Sequence, residues 1–305
     1  MLRIGACQTP EILGDVDAAV GVVWDFAAQA YAESVDLLLF PECFLQGYLG
    51  TERHVRGQAL DVDGAEFAAV LRRLARVRPM LVLGMIERAG DACYNTAVLI
   101  GEGRVAGRYR KAFLTPGETA FTAGDAYPVF DCGGVPFGIN ICFDTQFPAA
   151  AAAIAAAGAK VLLVPAQNMM RRDKALWWYE RHNRIRACRA RETGLWLVSA
   201  DVTGSRDELR TGLGPTCVMD PSGRVVARVP TGTTGLVVAE IDGRWPSVSD
   251  RHRLRWSSGA EALVVVGAQE RVEDLAGRGC HHGRACSLSA KPDGPAPPGP
   301  ARPGA

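Results

Sequence analysis

The sequence predicts an α/β fold with a mixed sheet, and three observations carry that prediction. Short apolar runs alternate with segments of helical composition. Several of the runs are apolar throughout rather than at every second position, as expected of strands covered on both faces. Two stretches carry hairpin signals, so not every connection is a crossover between parallel strands.

In chain order, strands are expected over residues 3–7, 36–40, 80–85, 96–100, 138–142, 160–164 and 195–200. Helices are expected over 18–33, 65–76, 149–157 and about 174–191. The first hairpin lies in NTAVLIGEGRVAGRYR, turning at Gly101-Glu102-Gly103, and the second in CVMDPSGRVVARV, turning at Asp220-Pro221-Ser222-Gly223. GEGRVA also fits a Gly-rich dinucleotide fingerprint in form. That motif needs a helix N-terminus to hold pyrophosphate, whereas the residues that follow here are strand-like, so the hairpin reading prevails. Residues 149–166 form the longest weakly polar run, but Gly158 and Lys160 interrupt it, which suits a helix and a buried strand better than a membrane span.

The 34 basic and 33 acidic residues leave a net charge of +1, which offers no electrostatic footprint for nucleic acid or an anionic membrane. A small substrate is the simpler expectation. The first residues, MLRIGACQTP, lack the pattern of a secretory signal. The nine cysteines therefore read as free thiols in a reducing, cytoplasmic compartment, most of them core filler. From about residue 277 the chain turns rich in Pro, Gly and Ala, and 277–305 is expected to be a disordered tail. Cys280, His281, His282 and Cys286 in that tail match no standard zinc spacing.

Phosphate loops, Gly-x-Ser-x-Gly elbows and Cys-x-x-Cys pairs are absent from the sequence. The histidines give no Cys-His scheme either. His54 lies in a charged stretch, His182 and His252 lie among arginines, and all read as surface or structural residues. Three segments instead share one feature, a titratable residue where an expected strand ends: DLLLFPE at Glu42, GRYRK at Lys111 and GINIC at Cys142. Taken alone, Cys142 reads as buried filler, Glu42 as a cap or ion-pair partner, and Lys111 as a solvated charge. Together, a carboxylate, an ammonium and a thiol at the carboxyl ends of strands form a set for acyl transfer. Glu42 can take the thiol proton, and Lys111 can favour the thiolate or hold an oxyanion.

DLLLFPECFLQGY, RYRKAFLTPGE and GINICFDTQFP, in this order, resemble the three signature segments of the nitrilase superfamily, the carbon-nitrogen hydrolases. The resemblance covers residues 1–265. It implies an αββα sandwich, commonly completed by dimerisation, with two cores packed in an extended assembly. Residue by residue, it makes Cys142 the nucleophile, Glu42 the general base and Lys111 the electrostatic stabiliser. Glu118 then positions substrate and triad, and the Phe143 backbone N–H joins Lys111 at the oxyanion. Tyr48 lines the pocket or packs in the core, while Gln167, Asn168, Met169 and Trp177 are candidate substrate contacts, with a subunit interface or the core as the alternative place for the tryptophans. No metal or organic cofactor is required. True nitrilases usually follow the nucleophile with Trp-Glu; Phe143-Asp144 here is closer to amidases and carbamoylases. The family often has an acidic residue where this chain has Ala149. The expectation is a stand-alone hydrolase of small amides or N-carbamoyl compounds. Its alternatives are a nitrilase and a non-catalytic binding protein on the same fold.

Overall fold

A computed structural model describes residues 1–241 and the backbone of 255–257. The expected domain limit at residue 265, the tail at 277–305, and His252, Cys280, His281, His282 and Cys286 lie outside the described residues.

Two mixed sheets stack face to face. The first is ordered β6 (Arg104–Arg110), β5 (Ala92–Gly101), β4 (Met80–Ala89), β2 (Leu37–Leu39), β1 (Leu2–Pro10), β15 (Gly235–Ile241) and β16 (Arg255–Ser257). The second is ordered β7 (Val129–Cys132), β8 (Val135–Ile139), β9 (Val161–Pro165), β11 (Trp196–Ser205), β13 (Cys217–Met219) and β14 (Val225–Arg228). They join where Gln8–Pro10 run parallel to Asp201–Thr203. The short β3 (Leu60–Asp61) extends β4, while β10 (Met170–Arg171) pairs with β12 (Arg210–Leu213) beside β11. β1, β2 and β4 are parallel, as are β8, β9 and β11; β3 also runs parallel to β4, and the other flanking strands are antiparallel.

Leu2, Ile4, Leu37 and Val82 of one sheet meet Phe137, Ile139, Leu163 and Val198 of the other in the sandwich interior. On the outer face of the first sheet, α1 (Val16–Ala32) and α3 (Ala65–Leu74) bury Val20, Val23, Phe26, Phe67 and Val70 against Leu38, Leu81 and Leu83. On the outer face of the second, α4 (Pro148–Ala156) and α5 (Arg172–Thr193) cover Leu162, Val164 and Leu197. The four layers are therefore αββα. The short α2 (Glu52–Gln58) buries Val55 at the rim.

Local chemistry explains the boundaries. The Asp15 carboxylate accepts the Ala18 N–H and starts α1, Pro148 occupies the first turn of α4, and Gly194 at φ +69 ends α5 in the left-handed region. The hairpin between β5 and β6 turns where expected, with Glu102 and Gly103 both at positive φ. The β13–β14 turn is closed by Gly223 N–H donating to Asp220 O. Unlike the expected strand over 138–142, β8 stops at Ile139, and Cys142 opens a 3-10 turn over Cys142–Gln146.

Candidate active site

β2, β6, β8 and β9 deliver their carboxyl ends to one rim of the sandwich, and each is followed by a segment that contributes to the site. The segment after β2 carries Glu42. It is tied down by Phe40 N–H to Val82 O, Glu42 N–H to Ala166 O and Leu45 N–H to Gly84 O. It lies directly on β4 at Gly84, where a Cβ would come within 2.2 Å of Pro41 O and 2.5 Å of Cys43 N. Only glycine permits that approach.

Lys111 follows β6, its N–H held by Asn95 O at 2.8 Å. Its Nζ lies 2.7 Å from Glu42 Oε1 and 2.9 and 3.0 Å from the two oxygens of Glu118. Glu118 sits in a turn whose Thr115 N–H donates back to its Oε2 at 2.7 Å. The remaining acceptor of Glu42, Oε2, takes the main-chain N–H of Gln167 at 3.1 Å. All three charged side chains are buried.

The Cys142 turn is built around Asp144, a fully buried carboxylate. Its Oδ2 accepts from Ile141 N–H at 2.8 Å and from the Tyr109 hydroxyl at 2.7 Å; its Oδ1 accepts from Phe113 N–H at 2.8 Å. One side chain thus ties the cysteine turn to the segments on either side of Lys111. Cys142 itself is held at φ +43, a conformation uncommon outside glycine and enriched at functional sites. Its Sγ lies 4.0 Å from Asn168 Oδ1. Asp201 accepts both the N–H and the side-chain amide of Asn168, which turns the Asn168 oxygen towards the thiol. Arg186 stands behind Asp201 at 3.5 Å.

These contacts set the charge states. Burial pushes the Cys142 thiol well above its usual range and Glu42 pushes it further, outweighing Lys111 and the Gln167 N–H. Burial also raises the Glu42 carboxyl, and the Glu118 charge adds to that, against the pull of Lys111. Burial acts on Glu118 in the same sense, but Lys111 and the Thr115 N–H outweigh it and hold Glu118 below the usual carboxylate range. For Lys111, burial would lower the ammonium, and Glu42, Cys142 and Glu118 more than compensate. Asp144 and Asp201 are each pushed up to about 6, chiefly by burial.

A narrow cleft opens onto Glu42, lined by Glu11, Ile12, Phe44, Gly47, Tyr48, Gln167 and Val202. Its wall carries an ion pair: Arg206 donates two N–H groups to Glu11 and one to Tyr48 O, while Gln167 donates its amide to Glu11. Of the residues expected from sequence, Glu42, Lys111, Glu118, Cys142, Gln167 and Asn168 thus come together, and Tyr48 joins them through the cleft. Phe143 has its ring edge-on to Phe147, which stacks on Phe113. Met169 is linked to the cleft through its N–H to Gln167 Oε1 at 3.3 Å. Trp177 is placed differently: it packs on α5 against Trp178 and beneath the Arg181 guanidinium and does not line the cleft. His54 donates its Nε2–H to Gly47 O at 2.8 Å, and His182 stacks on Trp178, so both are structural.

Sequence reasoning missed Asn95, Asp144, Glu11 and Asp201. Asn95 had a weak signal as a polar residue inside an apolar strand, and Asp144 stood next to a residue already singled out. Glu11 and Arg206 are 195 positions apart and had none.

Residues 3–249 match the carbon-nitrogen hydrolase family. A nitrilase from Pyrococcus abyssi is 32% identical over 247 residues, covering 79% of this chain and 90% of the relative. An (R)-stereoselective amidase from a Pseudomonas species is 31% identical over 196 residues, covering 64% of this chain and 69% of the relative. Among solved structures, an amidase from Nesterenkonia sp. AN1, carrying acrylamide added at its active-site cysteine, aligns at a TM-score of 0.69 and 26% identity, over 80% of this chain and 95% of that one. A glutamine-dependent NAD+ synthetase from Acinetobacter baumannii shares the fold at a TM-score of 0.70 and 22% identity, with this chain spanning 46% of its length.

Proposed function

The chain belongs to the carbon-nitrogen hydrolase family, enzymes acting on C–N bonds other than peptide bonds, and from that premise we propose that it hydrolyses a small amide or N-carbamoyl compound through a thioester on Cys142. The carrying observation is Lys111 Nζ, buried between Glu42 and Glu118 at the rim where the Cys142 turn begins. The amidase relatives support an amide substrate.

The charge states divide the labour. A thiol held above its ordinary range is neutral at rest and needs a base at the moment of attack. Glu42, itself drawn upward by burial, is matched to take that proton, while Glu118 stays ionised and holds Lys111. As the Cys142 Sγ–C bond forms, the thiol proton passes to Glu42 and the carbonyl electrons move to oxygen. Lys111 Nζ contacts one oxygen of Glu42 and both of Glu118 at rest; as the oxyanion forms, one of the two contacts to Glu118 is released and that N–H turns to the oxyanion beside the Phe143 N–H. The C–N bond then breaks, and the nitrogen leaves with the proton returned by Glu42. Water attacks the thioester with Glu42 again accepting a proton, which releases the acid and restores the thiol. Tyr48, Gln167 and Asn168 contact the substrate. No residue role in this scheme needs a metal or organic cofactor.

The same reading includes a hydrolase core over 1–265 and an assembly of two or more copies. Leu176 is 66% exposed near the half-buried Trp177 and Trp178 on α5, and light scattering would read the oligomer.

The test is ammonia release from a panel of amides, N-carbamoyl amines, N-carbamoyl amino acids and nitriles, with Cys142→Ala in parallel. Turnover of an amide or carbamoyl compound that vanishes in the variant is the expected result. Turnover confined to nitriles overturns the substrate class, and turnover retained by Cys142→Ala overturns the nucleophile.

A further inference from the structure

Two buried carboxylates beside one ammonium form an unbalanced group, because the like charges push one another towards protonation. Asn95 stands between them. Its Nδ2 lies 2.7 Å from Glu42 Oε1 and 3.0 Å from Glu118 Oε1. These are the same two oxygens that accept from Lys111 Nζ at 2.7 and 2.9 Å. A primary amide has two N–H bonds, and here each carboxylate receives one. The same residue also sets the position of Lys111 through its main-chain carbonyl.

The side chain is fully buried, and Oδ1 has no hydrogen-bond partner among the described residues. A buried carbonyl without a partner is expensive, and an apolar residue of similar shape would not carry that cost. The opposite amide orientation would direct Oδ1 at two carboxylates. The charges therefore fix the amide, and the unpartnered oxygen is the consequence.

We propose that Asn95 is a positioning residue for the reaction: by giving one N–H to each carboxylate it keeps Glu42 and Glu118 ionised on the same ammonium, so that Glu42 is available as a base at neutral pH. The inference rests on the reading of Glu42 as that base. Glu42 faces Lys111 and Glu118, with Cys43, Tyr48 and Cys142 also in electrostatic reach, and Lys111 is the sole cation of this set. Without Asn95, only Lys111 and the Gln167 N–H on Oε2 oppose burial and the Glu118 charge. Glu42 then takes up a proton at higher pH, and the acid limb of its activity moves upward.

The experiment uses the full chain and the rate at which iodoacetamide alkylates Cys142, resolved by peptide mass spectrometry across pH. Ammonia release and thermal unfolding are recorded on the same samples. Glu42→Gln identifies the limb that belongs to Glu42. Asn95→Ala should move that limb up by about one pH unit, a roughly tenfold slower reaction at a fixed pH below it. In turnover, kcat should fall with KM nearly unchanged, because Asn95 does not line the cleft. Asn95→Asp, close in shape, adds a third carboxylate and should move the limb further the same way; it carries the test if the alanine variant fails to fold. A limb that stays in place in a folded variant while the melting temperature falls makes Asn95 a packing residue and overturns the proposal. A parent profile that Glu42→Gln leaves unchanged overturns the base assignment itself, and the proposal with it.

Discussion

Gly84→Ala should disable the site from a position that never touches substrate. The added Cβ would lie 2.2 Å from Pro41 O, 2.5 Å from Cys43 N and 2.8 Å from Glu42 C, all main-chain atoms that cannot rotate away. Restoring an ordinary 3.4 Å contact to Pro41 O requires the segment to move by about 1.2 Å. Glu42 rides on that segment, and its 2.7 Å bonds to Lys111 and Asn95 would stretch past hydrogen-bonding range. A misplacement of roughly 1 Å in a catalytic group costs on the order of a hundredfold in rate, while overpacking of this kind costs about 1–3 kcal/mol in stability. The expected outcome is a folded protein, a few degrees less stable, with kcat/KM for the best amide of the panel down about a hundredfold. Gly21→Ala, on α1 with no atom within 4 Å of its added Cβ, is the control and should be stabilised by about 0.5–1 kcal/mol. If Gly84→Ala keeps its melting temperature and turns over within about threefold of the parent, the close approach does not position Glu42 and the reasoning fails.

Three further outcomes follow from the same contacts. Tyr109→Phe removes the 2.7 Å hydroxyl donor from buried Asp144 and should cost about 1–3 kcal/mol in urea unfolding, and a neutral result would mean that water replaces the hydroxyl. Arg206→Ala leaves Glu11 without its cation and loosens Tyr48; KM should rise about tenfold with kcat little changed, whereas an unchanged KM would exclude this wall from substrate binding. His182 is held down to about 3, by burial and then by Arg186, against 6.5 when free, so it stabilises the fold above pH 6.5 and that contribution is lost as pH falls towards 3. Between pH 6.5 and 5 the unfolding free energy of His182→Phe should gain about 2 kcal/mol relative to the parent, a difference in which the opposing titrations of Asp144 and Asp201 cancel; a flat difference would place the ring in water.

Much of this molecule was legible locally. Apolar runs such as residues 37–39 and 161–165 announced buried strands because parallel strands covered on both faces have no polar side. The turns at Gly103 and Gly223 were visible because positive φ selects glycine. Glu42, Lys111 and Cys142 stood out because a titratable residue at the end of an apolar run is a local break in pattern. What depended on folding in three dimensions was everything between segments. Asn95 and Asp144 are polar residues that look solvated until two stacked sheets bury them, and their partners lie 23 to 53 and up to 35 positions away in the chain. The end of β8 at Ile139 was set by Asp144 taking the Ile141 N–H, a competition that strand propensity does not register. The sequence shows two glutamates of the same type beside one lysine. Which of them can accept a proton depends on burial and hydrogen-bond distances of about 3 Å, and those exist only once β2, β6 and β8 end at the same rim.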